Sequence, residues 1–313
     1  MNKEKHIDIL SVGELLIDLI SVDYAETLSD CSTFERIPGG SPANLCTNMA
    51  RLGNNAQLVA SIGQDDMGGY LLDYLKTLAL DTHNILQVNQ PTTLILVTRS
   101  KSTANFEAYR GADYEIAKKQ ISDELLQSTK IFHTTCFALS KNPAQTTILD
   151  AAKRAVKLGC KLSIDTNYAE KIWPNRQEAQ SVLSDYCRLG AIVKVSEVDW
   201  ERLYQSPVQK PQAVINHFHH LGAKEVCLTL GSQGCWVSDS KHLEYLPSRA
   251  IEVKDTTGAG DAFWSGYLTA HLDGYGLINR AKAGRKMAEL KISHEGLLPI
   301  KMKKEVIYTD CKN

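Results

Sequence analysis

Residues 6–22 read HIDILSVGELLIDLISV, a run of Ile, Val and Leu interrupted by Gly13-Glu14. That pattern predicts a buried strand, a tight break and a second short strand, and the break is where chemistry could enter. Downstream the period changes. From Ser41 to Leu52 the apolar residues Leu45, Met49 and Leu52 fall on one helical face, and Gly53 marks the C-terminal stop. A strand near 57–62 follows, then a Gly-Gln-Asp-Asp turn and a helix through YLLDYLKTL, which is the alternation of an α/β protein.

The stretch 91–110, PTTLILVTRSKSTANFEAYR, departs from that alternation. Two β-rich runs are joined by a polar turn with no helix between them, so a hairpin is expected. With short strands near 15–20 and 32–37 it predicts a small antiparallel sheet apart from the main one, whose apolar side needs a substrate or a partner subunit to cover it. Beyond it the alternation resumes. Strands are expected near 130–135, 161–165, 191–196, 225–230 and 234–238, and helices over 145–158, 211–221, 259–272 and 278–291. The strands suit a mainly parallel sheet covered by helices on both faces. No repeat, low-complexity tract or linker divides the chain, so one domain over 1–313 is expected.

The 313 residues carry 35 Lys+Arg against 36 Asp+Glu, a net charge of -1, which argues against a broad positive field for nucleic acid. The start, MNKEKHIDIL, shows no secretory leader, and no uncharged apolar run approaches bilayer length. A cytoplasmic protein without a membrane partner is expected. The eight cysteines (Cys31, Cys46, Cys136, Cys160, Cys187, Cys227, Cys235 and Cys311) contain no CxxC pair and mostly sit in apolar runs, as reduced core thiols do.

The sharpest chemical signal is DTTGAGDAF at 255–263. Gly258, Ala259 and Gly260 open the predicted helix, exposing unpaired N–H groups at its positive end, a place suited to phosphate. Asp261 lies in that first turn, placed to take a proton from an attacking hydroxyl while the N–H groups hold the phosphoryl oxygens. The plainer reading is capping and a charge–dipole role for the two acids. No GxxxxGK[ST] loop or GxSxG elbow occurs, and Phe263 stands where a dinucleotide fingerprint needs its last glycine.

Several further positions admit two readings each. Gly39, Gly40 and Asn44 in PGGSPAN either receive a polyhydroxyl ligand or form a strand-to-helix turn capped by Ser41. Glu14 and Asp18 flank a short apolar run, and Asp18 either points into a pocket to accept two hydroxyls or is a solvated edge acid. Arg110 either reaches across the same pocket or is exposed. Gly231 and Gly234 let nucleotide lie against backbone or simply make a turn. His217, His219 and His220 crowd a helix face without metal-ligand geometry.

On PGGSPANLCTNMARLG at 38–53 and DTTGAGDAFWSGYL at 255–268, the chain resembles the ribokinase-like, or PfkB, family of carbohydrate kinases, with the likeness covering almost all of it. The resemblance implies a three-layer α/β/α sandwich with a small β-sheet lid, here at about 14–37 and 91–112. It matches Asp261 to the catalytic base and Gly258, Ala259 and Gly260 to the anion hole. Asp18, Gly39, Gly40 and Asn44 match sugar-binding positions, with Arg110 added to them. Ser196, Thr229, Gly231 and Gly234 fall on the nucleotide side. Asp255 and Thr257 match part of a monovalent-cation loop, which admits potassium. ATP is the implied phosphoryl donor, with magnesium entering mainly through ATP and water and Asp199 indirectly involved.

Within the family, GELLIDLIS, FEAYRGAD, SIDTNYAEKIWP and VKVSEVDW look like fructokinases of the bacterial kind, so D-fructose going to fructose 6-phosphate is expected. A 2-keto-3-deoxygluconate kinase is the alternative substrate reading; a nucleoside kinase and a non-catalytic sugar or nucleotide sensor are the others. Ala169 stands where members often carry arginine, and Ser196-Glu197-Val198-Asp199 replaces Asn-x-x-Glu, with altered metal affinity as the expected result. Pairing of apolar lid sheets into a homodimer is also expected.

Overall fold

The computed structural model describes residues 5–99, 105–294 and 296–311. The strand read from the opening stretch is β1 (Ile7–Val12), and the break after it sends the chain into β2 (Leu16–Tyr24) and β3 (Phe34–Gly39). α1 (Ser41–Arg51) then leads to β4 (Ala56–Gly63), α2 (Asp66–Thr77) and β5 (Ile85–Val88), after which β6 (Leu94–Arg99) and β7 (Phe106–Tyr109) form the hairpin. Its turn, 100–104, lies outside the described residues. The remainder runs α3 (Asp123–Gln127), β8 (Thr129–Thr135), α4 (Ala144–Lys157), β9 (Lys161–Asp165), α5 (Arg176–Cys187), β10 (Ile192–Ser196), α6 (Glu197–Tyr204), α7 (Pro211–His220), β11 (Glu225–Thr229), β12 (Cys235–Ser238), β13 (Leu243–Leu246), α8 (Ala259–Leu272) and α9 (Leu277–Ile292).

The main sheet has nine strands in the order β13-β12-β11-β10-β9-β8-β1-β4-β5, parallel from β11 to β5 and antiparallel at the β12 and β13 end. Side-chain alternation sends neighbouring residues to opposite faces, so Ile9 and Leu10 enter different cores. Leu10, Phe132, Leu162 and Val193 pack with Ile148, Leu183 and Phe218 of α4, α5 and α7. Ile9, Leu58, Ile131 and Ile192 pack with Leu45, Leu71, Trp264 and Leu268 of α1, α2 and α8. The three-layer α/β/α architecture follows. α8 is buried along almost its whole length because α9 covers its outer side. All eight cysteines are free thiols, and six are buried. No helix among the described residues is long and apolar enough to cross a membrane.

The second sheet, ordered β3-β2-β6-β7, differs from the antiparallel one expected. The pairs β2/β3 and β6/β7 are antiparallel, but β2 and β6 run parallel. Strands joined by a short turn must reverse, whereas the excursion through α1, β4, α2 and β5 lets β6 return alongside β2 in the same direction. Sequence reading also passed over α3, α5, α6, β5 and β13. α5 buries Ala179, Leu183 and Cys187 at four-residue spacing within an otherwise polar run, which weakens its signal.

Candidate active site

Because the central strands are parallel, their carboxyl ends share one edge of the sheet, where loops open and binding crevices form. Thr135 at the end of β8 pairs in register with Asp165 at the end of β9, Asp165 with Lys194 of β10, and Ser196 of β10 with Thr229 of β11. Glu14 leaves β1 at the same edge, and Thr135 Oγ1 donates to its Oε2 at 2.9 Å. The N-terminus of α8 closes this line, with Gly258 in a left-handed conformation just before Ala259.

Asp261 stands in the first turn of α8, half-buried. Ser41 Oγ donates to its Oδ1 at 2.6 Å and Asn44 Nδ2 to its Oδ2 at 2.9 Å. Ser41 is therefore not the cap of α1. Gly40 takes the N-cap position at φ 101°, and a Cβ there would sit 2.3 Å from the Glu14 carbonyl oxygen. The hydroxyl of Ser41 is left to hold the carboxylate. Burial first and the Asp165 charge second push the Asp261 carboxyl up to about 6, against the hydrogen bonds from Ser41 and Asn44. Both the capping reading and the proton-acceptor reading require an acid here, but its partners on α1 are not helix N–H groups.

Asp18, on β2, faces the same space. Burial and then the Asp261 charge raise its carboxyl to about 7. The backbone of Gly39 passes so close that a Cβ would lie 2.1 Å from Asp18 Oδ2. A small cleft of about 50 Å³ is lined by Asp18 and Asn44 together with Asp255, Thr257, Gly258 and Lys291. Glu14 is 2% exposed, and burial lifts its carboxyl to about 8.

Arg110 is not the exposed side chain of one of its two readings. It is half-buried, paired with Asp113 at 2.5 Å, and also donates to Ser140 Oγ at 2.5 Å. An ion pair is the natural way to bury a guanidinium, and it leaves this one committed. Ala169 packs on the apolar core. Gly231 and Gly234 bracket the turn from β11 to β12, beside α6. Ser196 and Asp199, read as a departure from a motif, also form the capping box that starts α6. Burial, then the charge of Asp165, raises the Asp199 carboxyl. Among the described residues no group of three or more His, Cys, Asp or Glu gathers as a metal cage, which includes His217, His219 and His220.

Lys194 was missed. Its ammonium is buried in β10, 2.7 Å from Asp165 Oδ2, and a Cβ added to Gly260 would come within 3.3 Å of it. The 258–260 turn thus has a fixed positive charge directly behind it. The available signal was a lysine at the centre of AIVKVS, a run otherwise suited to burial on both faces, where an unpaired charge is not tolerated. The arrangement puts a proton-accepting carboxylate, helix N–H groups and a buried ammonium around one small volume, which is the equipment for moving a phosphoryl group onto a hydroxyl.

Comparison with known proteins agrees with that geometry. The sequence pattern of the pfkB family carbohydrate kinase matches residues 6–303. The chain is 36% identical over 298 residues to an ATP-dependent 6-phosphofructokinase of Thermoanaerobacterium thermosaccharolyticum, covering 94% of this chain and 91% of that protein. Its structure is similar to that of Halothermothrix orenii fructokinase, with 33% identity, 90% and 96% of the two chains covered and a TM-score of 0.78. It is also similar to a Pyrococcus horikoshii sugar kinase in complex with ATP, at 28% identity, 95% and 96% coverage and a TM-score of 0.82.

Proposed function

This chain belongs to the pfkB family of carbohydrate kinases, and from that premise we propose that it transfers the γ-phosphoryl group of ATP to D-fructose, giving fructose 6-phosphate. The observation that carries this reading is Asp261: a carboxylate raised to about 6, at a helix N-terminus, held by Ser41 and Asn44 from across the cleft. In the proposal Asp18, Gly39, Gly40 and Asn44 orient the sugar so that one hydroxyl meets Asp261, which takes its proton as the oxygen attacks. The N–H groups of 258–260 receive the phosphoryl oxygens, that of Ala259 leaving the Thr256 carbonyl it meets at 3.1 Å, and Lys194 adds charge from below.

The donor would lie along the strand ends, over Ser196, Thr229, Gly231 and Gly234. The strand-end acids fit a magnesium ion carried by the nucleotide: Asp165 Oδ1 is buried with no hydrogen-bond partner, and Asp199 is its neighbour. Asp165 and Asp199 would hold such an ion, in part through water; when bound it supplies neutralisation of phosphate charge. The β3-β2-β6-β7 sheet would act as a lid, excluding the water that competes with the sugar. Val22 and Tyr109 are exposed on that sheet and suit cover by a second copy, which sedimentation would test.

The similarity to a 6-phosphofructokinase raises a second reading, fructose 6-phosphate as acceptor. A phosphorylated sugar needs a cation to meet its phosphate, and Arg51 and Lys291 line the cleft, so this acceptor stands as the competing one. The deciding experiment measures ADP release with fructose, fructose 6-phosphate, 2-keto-3-deoxygluconate, ribose and adenosine. The proposal expects the highest kcat/KM with fructose; preference for the phosphorylated sugar would replace the acceptor and keep the mechanism, and silence with all five would favour a sensor.

A further inference from the structure

The resemblance to a monovalent-cation loop at Asp255 and Thr257 meets residues that do not suit a bound potassium ion. Both oxygens of Asp255 are engaged: Oδ1 accepts from the Thr257 N–H at 2.9 Å, and Oδ2 lies 3.4 Å from Nζ of Lys291. Lys291 comes from the last turn of α9, and its side chain is only 13% exposed. Its stem runs beneath the start of α8, where a Cβ on Gly258 would stand 3.7 Å from Cε. The N–H groups of Lys254 and Asp255 both reach the Ile292 carbonyl, at 2.8 and 3.3 Å, tying the loop to the same turn.

We propose that Lys291 is the built-in cation of this loop: a tethered ammonium stands in place of potassium, shapes residues 255–258 and frees phosphoryl transfer from any need for a monovalent ion. Ammonium and potassium carry the same charge, but a lysine donates directed hydrogen bonds and is present at every salt concentration. A second cation against the same carboxylate would be repelled by Lys291 at short range and would have to share Asp255 Oδ2 with its ammonium. Lys291 lines the same cleft as Asp18 and Asn44, but its ammonium is directed at the Asp255 carboxylate, so it acts as a positioning residue through the backbone that leads into Gly258. The inference rests on the kinase reading of the Asp261 site.

The experiment compares buffers of equal ionic strength containing either potassium or tetramethylammonium as the sole monovalent cation. It reads kcat and, by calorimetry, affinity for a non-hydrolysable ATP analogue. The unaltered protein is expected to differ by less than about twofold between the buffers in both readings, since an ion without a site has no coupling to the nucleotide. Lys291→Ala is expected to lose about tenfold or more in tetramethylammonium and to recover in potassium, while Lys291→Arg stays indifferent to the ion. A tenfold potassium stimulation of the unaltered protein would overturn the proposal. So would a Lys291→Ala protein that is fully active without potassium, or one equally impaired in both buffers. Should Lys291→Ala fail to fold, Lys291→Met, which keeps the stem, is read in the same way. If no sugar supports turnover, the kinase reading fails, and the analogue affinities still decide whether Lys291 displaces the ion.

Discussion

Replacing Asp261 by Asn should separate activity from stability in opposite directions. With its carboxyl near 6, Asp261 is about nine-tenths ionised at pH 7, so the base is available where the reaction runs. Removing it should lower kcat by about 10²-fold or more, roughly 3 kcal/mol of transition-state stabilisation. The same change relieves the folded state. A carboxyl raised from 3.8 to about 6 binds its proton more tightly folded than unfolded, so its effect on stability is absent below 3.8 and grows unfavourable as pH rises through about 6. The upper bound at pH 8 is about 3 kcal/mol. Against it stands the loss of charge on two hydrogen bonds: the new amide can accept from Asn44 Nδ2 and donate to Ser41 Oγ, but the exchange of charge-assisted for neutral bonds costs about 1 kcal/mol. A net gain of about 2 kcal/mol at pH 8 is therefore expected, fading towards pH 4. The assay pairs steady-state ADP release with urea unfolding at pH 4, 6 and 8. The reasoning is refuted if the folded variant keeps activity within about tenfold of the parent, or if activity and stability fall together.

Lys194→Met should abolish turnover and cost about 3–5 kcal/mol by leaving Asp165 buried without its cation; adding Asp165→Asn should restore much of the stability but not the activity, as urea unfolding and ADP release would show. Glu14→Gln should flatten the pH dependence of stability. The parent's Glu14 contribution worsens as pH rises from its ordinary 4.5 through about 8, by at most about 5 kcal/mol, so the variant's advantage in urea should appear at pH 8 and vanish at pH 4. Gly39→Ala would drive a methyl group to 2.1 Å from Asp18 Oδ2 and should raise KM for the sugar about tenfold or more while leaving KM for ATP nearly unchanged, measured by varying each substrate alone.

The layer architecture was legible because the strands are apolar on both faces and the helices carry a regular apolar stripe. The turn at 258–260 stood out because small residues and an acid crowd one helix start. What stayed hidden depends on placement across the fold. Ser41 reads locally as a helix cap, and only the return of α8 220 positions later gives its hydroxyl another partner. Arg110 reads as free because Asp113, three residues on, becomes its buried partner only when the turn after β7 folds over it. The parallel β2/β6 pairing is likewise a property of a long excursion, which no local pattern encodes. Lys194 carried a signal, a charge in a buried strand, that pointed to a partner without saying which.

The bonds from Ser41 and Asn44 to Asp261 span 220 and 217 residues. During synthesis the groups that would grip the acceptor emerge long before the proposed base, at a few residues per second to a few tens. A nascent chain that has made its first sheet strands has no Asp261 and no α8 N-terminus, so it cannot spend nucleotide while unfinished. Catalytic competence in this design is a late reporter of completed folding, because the last large helix pair must dock against α1 before the two halves of the site meet.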